Sequence, residues 1–314
     1  MKSMFQLSGE DPELAKEEVL VLTGVQKSRL IGNLLVIQAG TKGLDKRLAY
    51  THRIYKFLFQ TTVDGLEGYM KDFDWQSVYK KNFCLRIYGG DASNEKRFAG
   101  YVWEKLKSPE VNLEDPVTAI HLFFEDNIVI AGLLLKEVEK GFEERKAHLR
   151  PEFAPVSLHP RLARACVNLT GAGNGDIVMD PFCGTGGLLI EAGLMGLRPA
   201  GSDTDERMLR RAAENLDHYN IRDYKLVKKD ALLMKKADYV VTDLPYGKNT
   251  GRMDLKSLYR DFLGLLKKKL GKRAVVIFPR QMDAEIRKAG LKAEKRFQYY
   301  IHRSMTKYIY VISV

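Results

Sequence analysis

Two short stretches in the second half of the chain combine acidic, glycine, proline and aromatic residues at spacings that can support chemistry. The first, VMDPFCGTGGLL (Val178–Leu189), places Asp180 ahead of Gly184, Gly186 and Gly187, between a run that reads as a strand and one that reads as a helix. In open α/β sheets ligands bind outside the carboxyl ends of strands, and glycines there let the backbone pass close beneath a ligand. A dinucleotide fingerprint needs a third glycine that this turn lacks, and a phosphate-cradling G-x-x-x-x-G-K-[ST] is absent. A carboxylate ahead of the glycines suits a ligand carrying an ammonium, not a pyrophosphate. S-adenosylmethionine has such an ammonium, beside a sulfonium. Asp180, Pro181, Phe182, Cys183, Gly184 and Gly186 are therefore candidates for holding that cofactor; a purely structural strand-to-helix turn is the alternative. Asp203 lies 23 residues beyond Asp180, at the end of the next strand, where a carboxylate can accept both ribose hydroxyls. Its neighbour Asp205 reads as the start of the following helix. Asp230, with Ala231, follows the third strand and is either an acceptor for the adenine amino group or a turn residue.

The second stretch, VVTDLPYGKNT (Val240–Thr250), follows the fourth strand. Its Asp243-Leu244-Pro245-Tyr246 resembles the [N/D]-P-P-[Y/F/W] tetrapeptide of exocyclic-amine methyltransferases. An exocyclic amine is a poor nucleophile because its lone pair is delocalised into the π system. The Asp243 carboxylate and the Leu244 carbonyl can accept its hydrogens and turn the lone pair toward a methyl donor. Pro245 removes a backbone donor and fixes φ, so the acceptors stay in place. Tyr246 can stack on a base, at ~1–3 kcal/mol. Leu244 stands where proline is usual, which leaves acceptor and stacking residues intact and alters the shape of the base pocket. The competing interpretation is a proline turn with a packed tyrosine. Cys183 is not read as a nucleophile: pyrimidine C5 chemistry needs a cysteine beside the proline after the fourth strand, and Pro245-Tyr246 occupies that place. It reads as a small packed residue. His159, His302 and the other histidines show no metal-ligand spacing, and no metal is expected.

These stretches require a scaffold of alternating elements. After residue 158 the pattern supplies strands at Asp176–Asp180, Ala200–Asp203, Tyr224–Val227, Tyr239–Thr242 and Ala274–Phe278. Helices are expected at Leu188–Leu194 and Met208–Tyr219, and over the apolar repeat from Leu255 to Leu270, closed by Lys267-Lys268-Lys269 and Gly271. The end, FQYYIHRSMTKYIYVISV, reads as two strands joined at Arg303–Thr306. Alternating β and α imply a parallel sheet, with the closing hairpin adding an antiparallel strand. Ahead of this lies KGFEERKAHLRPEFAPVSLHP, with Pro151, Pro155, Pro160 and the basic cluster Arg145, Lys146, His148 and Arg150, which reads as a stiff, extended linker. The first half mixes strands (Leu34–Ile37, Phe83–Ile87), a hairpin (Ala119–Phe124 and Ile128–Gly132, turning at Glu125-Asp126-Asn127) and a helix at Lys96–Leu106, as in small α+β units.

A chain of 314 residues with 45% hydrophobic residues accommodates two or three folded domains and excludes fibrous and wholly disordered classes. No apolar run reaches the ~18 residues of a membrane span, and the opening MKSMFQLSGEDPEL lacks an apolar signal core, so an intracellular, cytoplasmic protein is expected. Cys84, Cys166 and Cys183 are too few and too dispersed for a disulfide framework or a zinc cluster. The first 150 residues carry 22 basic and 22 acidic side chains, so the whole net charge of +11 lies beyond residue 150. Such an excess points to a polyanionic partner, most simply nucleic acid.

Taken in order, these segments resemble the THUMP-domain tRNA guanosine N2-methyltransferase family, and within it the archaeal enzymes acting on guanosine 10. FQLSGEDPELAKEEV, FCLRIYG, RFAGYVWEKL, VNLEDPVTAIHLFF and NIVIAGLLL resemble the family's opening and THUMP region. SLHPRLARACVNLTGA resembles the entry to its catalytic domain; DPFCGTGG, GSDTDERM, TDLPYG and HRSMTKYIYV resemble its cofactor, catalytic and final-hairpin motifs. The resemblance implies an N-terminal ferredoxin-like domain (1–52), a THUMP domain (53–140), a linker (141–158) and a Rossmann-like class I methyltransferase domain with a mixed seven-stranded sheet (159–314). It implies S-adenosyl-L-methionine as cofactor and tRNA as substrate, its 3′-CCA end docked by the THUMP domain. Arg86, Lys96 and Arg97, with Arg145, Lys146 and Arg150 of the linker, are the expected RNA contacts. Mono- or dimethylation and a small activating subunit stay open, as do another RNA amine as target and an inactive RNA-binding protein.

Overall fold

The computed structural model describes residues 1–138, 141–153, 157–246, 254–303 and 305–314. Pro155 of the expected linker, Gly247–Thr250 of the second stretch, Ser304 of the final turn and the side chain of His302 lie outside the described residues. The chain divides into two compact units, one formed by residues 1–12, 23–45 and 51–139 and the other by residues 13–22, 46–50 and 140–314.

The first unit is built on a seven-stranded sheet. Strands β1 (Lys2–Leu7), β2 (Ser28–Ile31), β3 (Leu34–Gln38), β4 (Thr51–Thr62), β5 (Phe83–Tyr88), β6 (Thr118–Glu125) and β7 (Ile128–Glu137) lie in the order β2-β3-β1-β4-β7-β6-β5. The neighbours β5 and β6 run parallel and the other pairs antiparallel. Helix α1 (Pro12–Thr23) follows β1, and α2 (Leu66–Asp72) and α3 (Glu95–Glu104) belong to the half of the unit that holds β5 and β6. Trp75, fully buried there among Phe59, Met70 and Phe83, donates its indole N–H to the Met70 carbonyl at 2.7 Å, satisfying the one polar atom of the ring. The expected hairpin forms, with Asp126 at its turn in the left-handed region (φ 52°). No break falls between residues 52 and 53. β4 crosses that point and pairs with β1 on one side and β7 on the other, so the expected ferredoxin-like and THUMP segments share one sheet.

The second unit alternates strand and helix as its sequence pattern requires. It runs α4 (Pro160–Leu169), β8 (Ile177–Asp180), α5 (Gly187–Leu194), β9 (Arg198–Asp203), α6 (Glu206–His218), β10 (Lys225–Lys228), β11 (Ala237–Asp243), α7 (Leu255–Lys269), β12 (Leu270–Phe278), α8 (Asp283–Lys288), β13 (Lys292–His302) and β14 (Met305–Ser313). The sheet order is β10-β9-β8-β11-β12-β14-β13, parallel from β10 to β12, with β14 antiparallel to both its neighbours, β12 and β13. Strand order reverses between β8 and β11, and a crevice opens at the carboxyl ends of strands at such a switch point. Asp180 and Asp243 are the last residues of those two strands. Val275, Val276, Ile277 and Phe278 of β12 are fully buried beside them, each such side chain contributing roughly 1.5–3 kcal/mol, which makes the strand ends a firm platform.

Three features depart from the sequence reading. Gly271 does not cap α7: the chain passes from Lys269 directly into β12, and Gly271 lies in that strand, where a Cβ would meet Asp238 Oδ1 at 2.1 Å. Residues 141–153 are no extended spacer. They form two short 3₁₀ turns, Glu143–Arg145 and Ala147–Leu149, with Phe142 and Arg150 buried. Residues 13–22 and 46–50 group with the second unit, held by Glu18, whose buried carboxylate accepts from the N–H groups of Ala49 (2.9 Å) and Tyr50 (3.0 Å) and from Asn168 Nδ2 (2.7 Å). Burial drives that carboxyl upward, and the three donors pull it back. Among the described residues no helix is long and apolar enough to cross a membrane.

Candidate active site

The glycine-rich turn departs from β8 at Asp180, which is 2% exposed. Its Oδ1 accepts from the Phe182 N–H at 3.1 Å and from Thr242 Oγ1, on the adjacent strand, at 2.7 Å. Burial pushes the Asp180 carboxyl up to about 7. The two donors act against that rise, and the charges of Asp243 and Asp203 add to it. Gly184 (φ 51°) and Gly186 (φ 82°) take left-handed conformations. At Gly186 a Cβ would also stand 3.3 Å from the Ala212 Cβ of α6, so both backbone angle and packing require glycine. Asp203 braces the turn: Oδ2 accepts from the Gly184 N–H at 3.1 Å and Oδ1 from the Asp205 N–H at 2.9 Å. A carboxylate has about four acceptor positions, so two remain for a ligand. Asp205 caps α6 as expected, accepting from the Arg207 N–H at 2.9 Å.

Pro181, Phe182 and Gly184 of the turn, Asp203, Asp230 and Ala231, and all four residues Asp243–Tyr246 line one cavity of about 540 Å³. Met208, Leu232 and Leu258 supply further apolar wall. Asp230 caps a 3₁₀ turn through the Leu232 N–H (2.9 Å), as its turn reading expects, and also lines the cavity. Asp180 and Cys183, with Phe182, Gly184 and Asp243, line an adjoining space of about 180 Å³. Gly186 borders neither, and its part is to shape the turn. Cys183 is 5% exposed and packs with Leu189, Ile190 and Leu209; burial raises its thiol, which leaves it a poor nucleophile. A larger cavity of about 940 Å³ contains neither the glycine turn nor Asp243.

The tetrapeptide is held from three sides. The Leu244 N–H donates to the Ile277 carbonyl at 3.1 Å, extending the β11–β12 pairing by one rung. A proline here would lack that donor, and Leu244, fully buried, packs with Tyr259 and Phe262 instead. The Pro245 carbonyl accepts from the Tyr259 hydroxyl at 2.6 Å. Lys307 of β14, 1% exposed, pairs with Asp243 Oδ2, and its Nζ lies 4.4 Å from the centre of the Tyr246 ring. Asp243 Oδ1 is buried with no hydrogen-bond partner. Burial raises the Asp243 carboxyl while Lys307 opposes that rise. Lys307, Thr242 and Tyr259 were not legible as site residues. The one local signal is a lysine in register with Ile309 and Val311, on the buried face of an alternating strand.

The basic residues expected to meet RNA divide sharply. Lys96 is exposed. Arg86 pairs with Glu95 at 3.2 Å, Arg97 with Glu67, and Lys146 with Glu143. Arg145 and Arg150 face inward. Arg145 makes a two-pronged pair with the fully buried Glu191 (2.8 and 3.3 Å), which also takes Arg164 at 2.9 Å. Arg150 is 5% exposed and donates Nε to the Arg145 carbonyl at 2.9 Å. A buried carboxylate demands compensating cations, and Arg145 of the linker serves that need together with Arg164 of α4, while Arg150 is buried beside them without a carboxylate partner among the described residues. Among the described residues no cluster of His, Cys, Asp and Glu could hold a metal ion.

A crevice walled by apolar side chains, edged by carboxylates with spare acceptors and closed by an acid–aromatic pair can take a nucleoside bearing an ammonium, beside an amine-bearing base. The same carboxylates would repel a phosphate. Comparison with known proteins agrees. The family described as the RMKL-like methyltransferase domain matches residues 147–309. The chain is 35% identical to a tRNA (guanine(10)-N2)-dimethyltransferase of Methanothermobacter thermautotrophicus, over 99% of both chains, and 33% identical to one of Pyrococcus abyssi, over 98% of both. Its fold is similar to that of TrmN from Thermus thermophilus, with a TM-score of 0.54 at 20% identity over 100% of this chain and 99% of that one.

Proposed function

The chain belongs to the tRNA (guanine(10)-N2)-dimethyltransferase family, and from that premise we infer that it methylates the exocyclic N2 of guanosine 10 in tRNA, with S-adenosylmethionine as donor. When bound, S-adenosylmethionine supplies an electrophilic methyl carbon on a sulfonium. Asp203 and Asp230 are the residues proposed to hold its ribose and adenine, and Asp180 and the Gly184 loop its amino-acid end. The fit rests on acidic lining with unused acceptors and on the apolar walls of the 540 Å³ cavity.

Asp243 and Leu244 are proposed to work on the base. The free Oδ1 of Asp243 accepts one hydrogen of the amine and the Leu244 carbonyl another, which withdraws the lone pair from the purine π system and directs it outward. The amine loses a proton as it gains a methyl group, and the unpartnered Asp243 Oδ1 is the acceptor proposed to take it. Tyr246 stacks on the purine and Pro245 keeps the acceptors rigid. Lys96 and the first unit, which carries the THUMP-like segments, are proposed to engage the 3′ end of the tRNA, in the cytoplasm where tRNA is matured.

The observation that carries this assignment is Asp243, which lines the same cavity as Tyr246, Asp203 and Asp230 and whose Oδ1 is buried without a hydrogen-bond partner. Incubation with methyl-labelled S-adenosylmethionine and an unmodified tRNA transcript tests it. Label enters the RNA with the native protein and fails to do so with Asp243→Ala.

A further inference from the structure

The buried ammonium beside the tetrapeptide belongs to neither sequence stretch. It arrives from β14, 64 residues beyond Asp243. It touches two of the residues that grip the base: Asp243 through Oδ2 and Tyr246 through the ring face. An ammonium on one face of an aromatic ring is attracted by the ring quadrupole, which pins the ring. With Oδ2 occupied, Oδ1 is the one acceptor of Asp243 left without a partner.

We propose that Lys307 is a positioning residue for methyl transfer: it fixes the Asp243 carboxylate through Oδ2 so that Oδ1 alone is offered to the amine, and it backs the Tyr246 ring. This deepens the functional reading above and rests on it. The groups that bear on Asp243 are Lys307 from β14, Asp180 from β8, Cys166 from α4 and Tyr259 from α7, with Tyr246 next along the chain. Lys307 is the cation among them. Without it two buried carboxyls, Asp180 and Asp243, would share one uncompensated region, and like charges in such a site cannot both remain ionised. Asp243 would then take up a proton, and Oδ1 would cease to be a reliable acceptor near neutral pH.

The experiment is the pH–rate profile of tRNA methylation by the full-length native protein and by Lys307→Met and Lys307→Arg. S-adenosylhomocysteine affinity serves as the folding control. In Lys307→Met the acid limb of kcat moves up by about one pH unit or more, and kcat at pH 7 falls roughly tenfold or more. KM for tRNA and S-adenosylhomocysteine affinity, compared at pH 8 where Asp180 is charged, stay within about threefold of native, because Lys307 is not among the residues lining the cavity. Lys307→Arg keeps a cation and keeps the native acid limb. A Lys307→Met profile like the native one, or a loss equal at every pH, overturns the proposal. If Lys307→Met fails to bind S-adenosylhomocysteine, Lys307→Arg decides: a native acid limb supports the proposal and a displaced one refutes it. A native protein that leaves guanosine unmethylated would instead defeat the functional reading itself.

Discussion

The Thr242 hydroxyl donates to Asp180 Oδ1 across 2.7 Å, tying the strand that ends at Asp243 to the strand that opens the glycine-rich turn. The two halves of the crevice, one suited to a cofactor and one to a base, are therefore tied by a buried side-chain hydrogen bond in addition to the β8–β11 pairing. Asp180 lies at a poised point: burial holds its carboxyl near 7, inside the physiological range.

A pH dependence follows. The ligand-free carboxyl is protonated below about 7 and charged above it, and a ligand ammonium favours the charged form. Affinity for S-adenosylhomocysteine should therefore rise from pH 6 to pH 8 and level off above, by at most about tenfold per pH unit. Calorimetry measures this, and 5′-methylthioadenosine, which lacks the amino acid, should show no such trend. Thr242→Val removes a donor that lowers the Asp180 value, so the rise should move to higher pH. Because the folded-state value lies above that of the unfolded chain, the ligand-free fold loses stability from this group as pH climbs from about 4 to about 7.

Asp243→Asn keeps shape and removes the charge. Turnover on tRNA should fall roughly 100-fold or more, the usual range when a positioned proton acceptor is lost, while S-adenosylhomocysteine affinity stays within about threefold. Single-turnover kinetics with saturating cofactor make the distinction. Near-native turnover would leave Asp243 as a neutral hydrogen-bond acceptor and remove its role as proton acceptor.

Tyr246→Ala removes a stacking surface worth about 1–3 kcal/mol per base, so kcat/KM for tRNA should drop roughly 5- to 150-fold. Tyr246→Phe keeps the ring and should stay within about threefold of native. Equal losses in both variants would assign the effect to the hydroxyl and contradict stacking.

These site residues were legible because their chemistry is local in sequence: an acid, a proline and an aromatic ring follow one strand, and glycines follow another. Lys307 was not, because its meeting with Asp243 depends on how β14 registers against β12, and a lysine in a strand ordinarily reads as solvent-facing. A count of charges does not reveal which cations the fold buries: Arg145 joins Arg164 on Glu191, which sits inside an apolar helix and gives no outward sign of them, and Arg150 is buried with its Nε on the Arg145 carbonyl. The alternation of β8 to β12 with helices was plain in the pattern of apolar runs. The continuity of the first sheet through β4 was hidden, because β1, β2 and β4 carry polar residues that blur their period.

The buried Glu191 yields a stability prediction independent of catalysis. Glu191→Ala leaves Arg145 and Arg164 without their carboxylate, and breaking such a network costs about 3–5 kcal/mol, or roughly 10 °C in the melting temperature of a unit this size. Surface pairs such as Arg222–Asp217 should cost under about 1 kcal/mol by comparison. Calorimetric melting of the two variants checks both.

The central claim is that the crevice between β8 and β11 alkylates one nitrogen of one base. The most direct measurement is nucleoside mass spectrometry of an unmodified tRNA transcript after incubation with the protein and S-adenosylmethionine, followed by mapping of the modified position. N2-methylguanosine and N2,N2-dimethylguanosine at position 10, both absent with Asp243→Ala, is the predicted result. A methylated adenosine, methylguanosine at another position, or an unmodified transcript would contradict it.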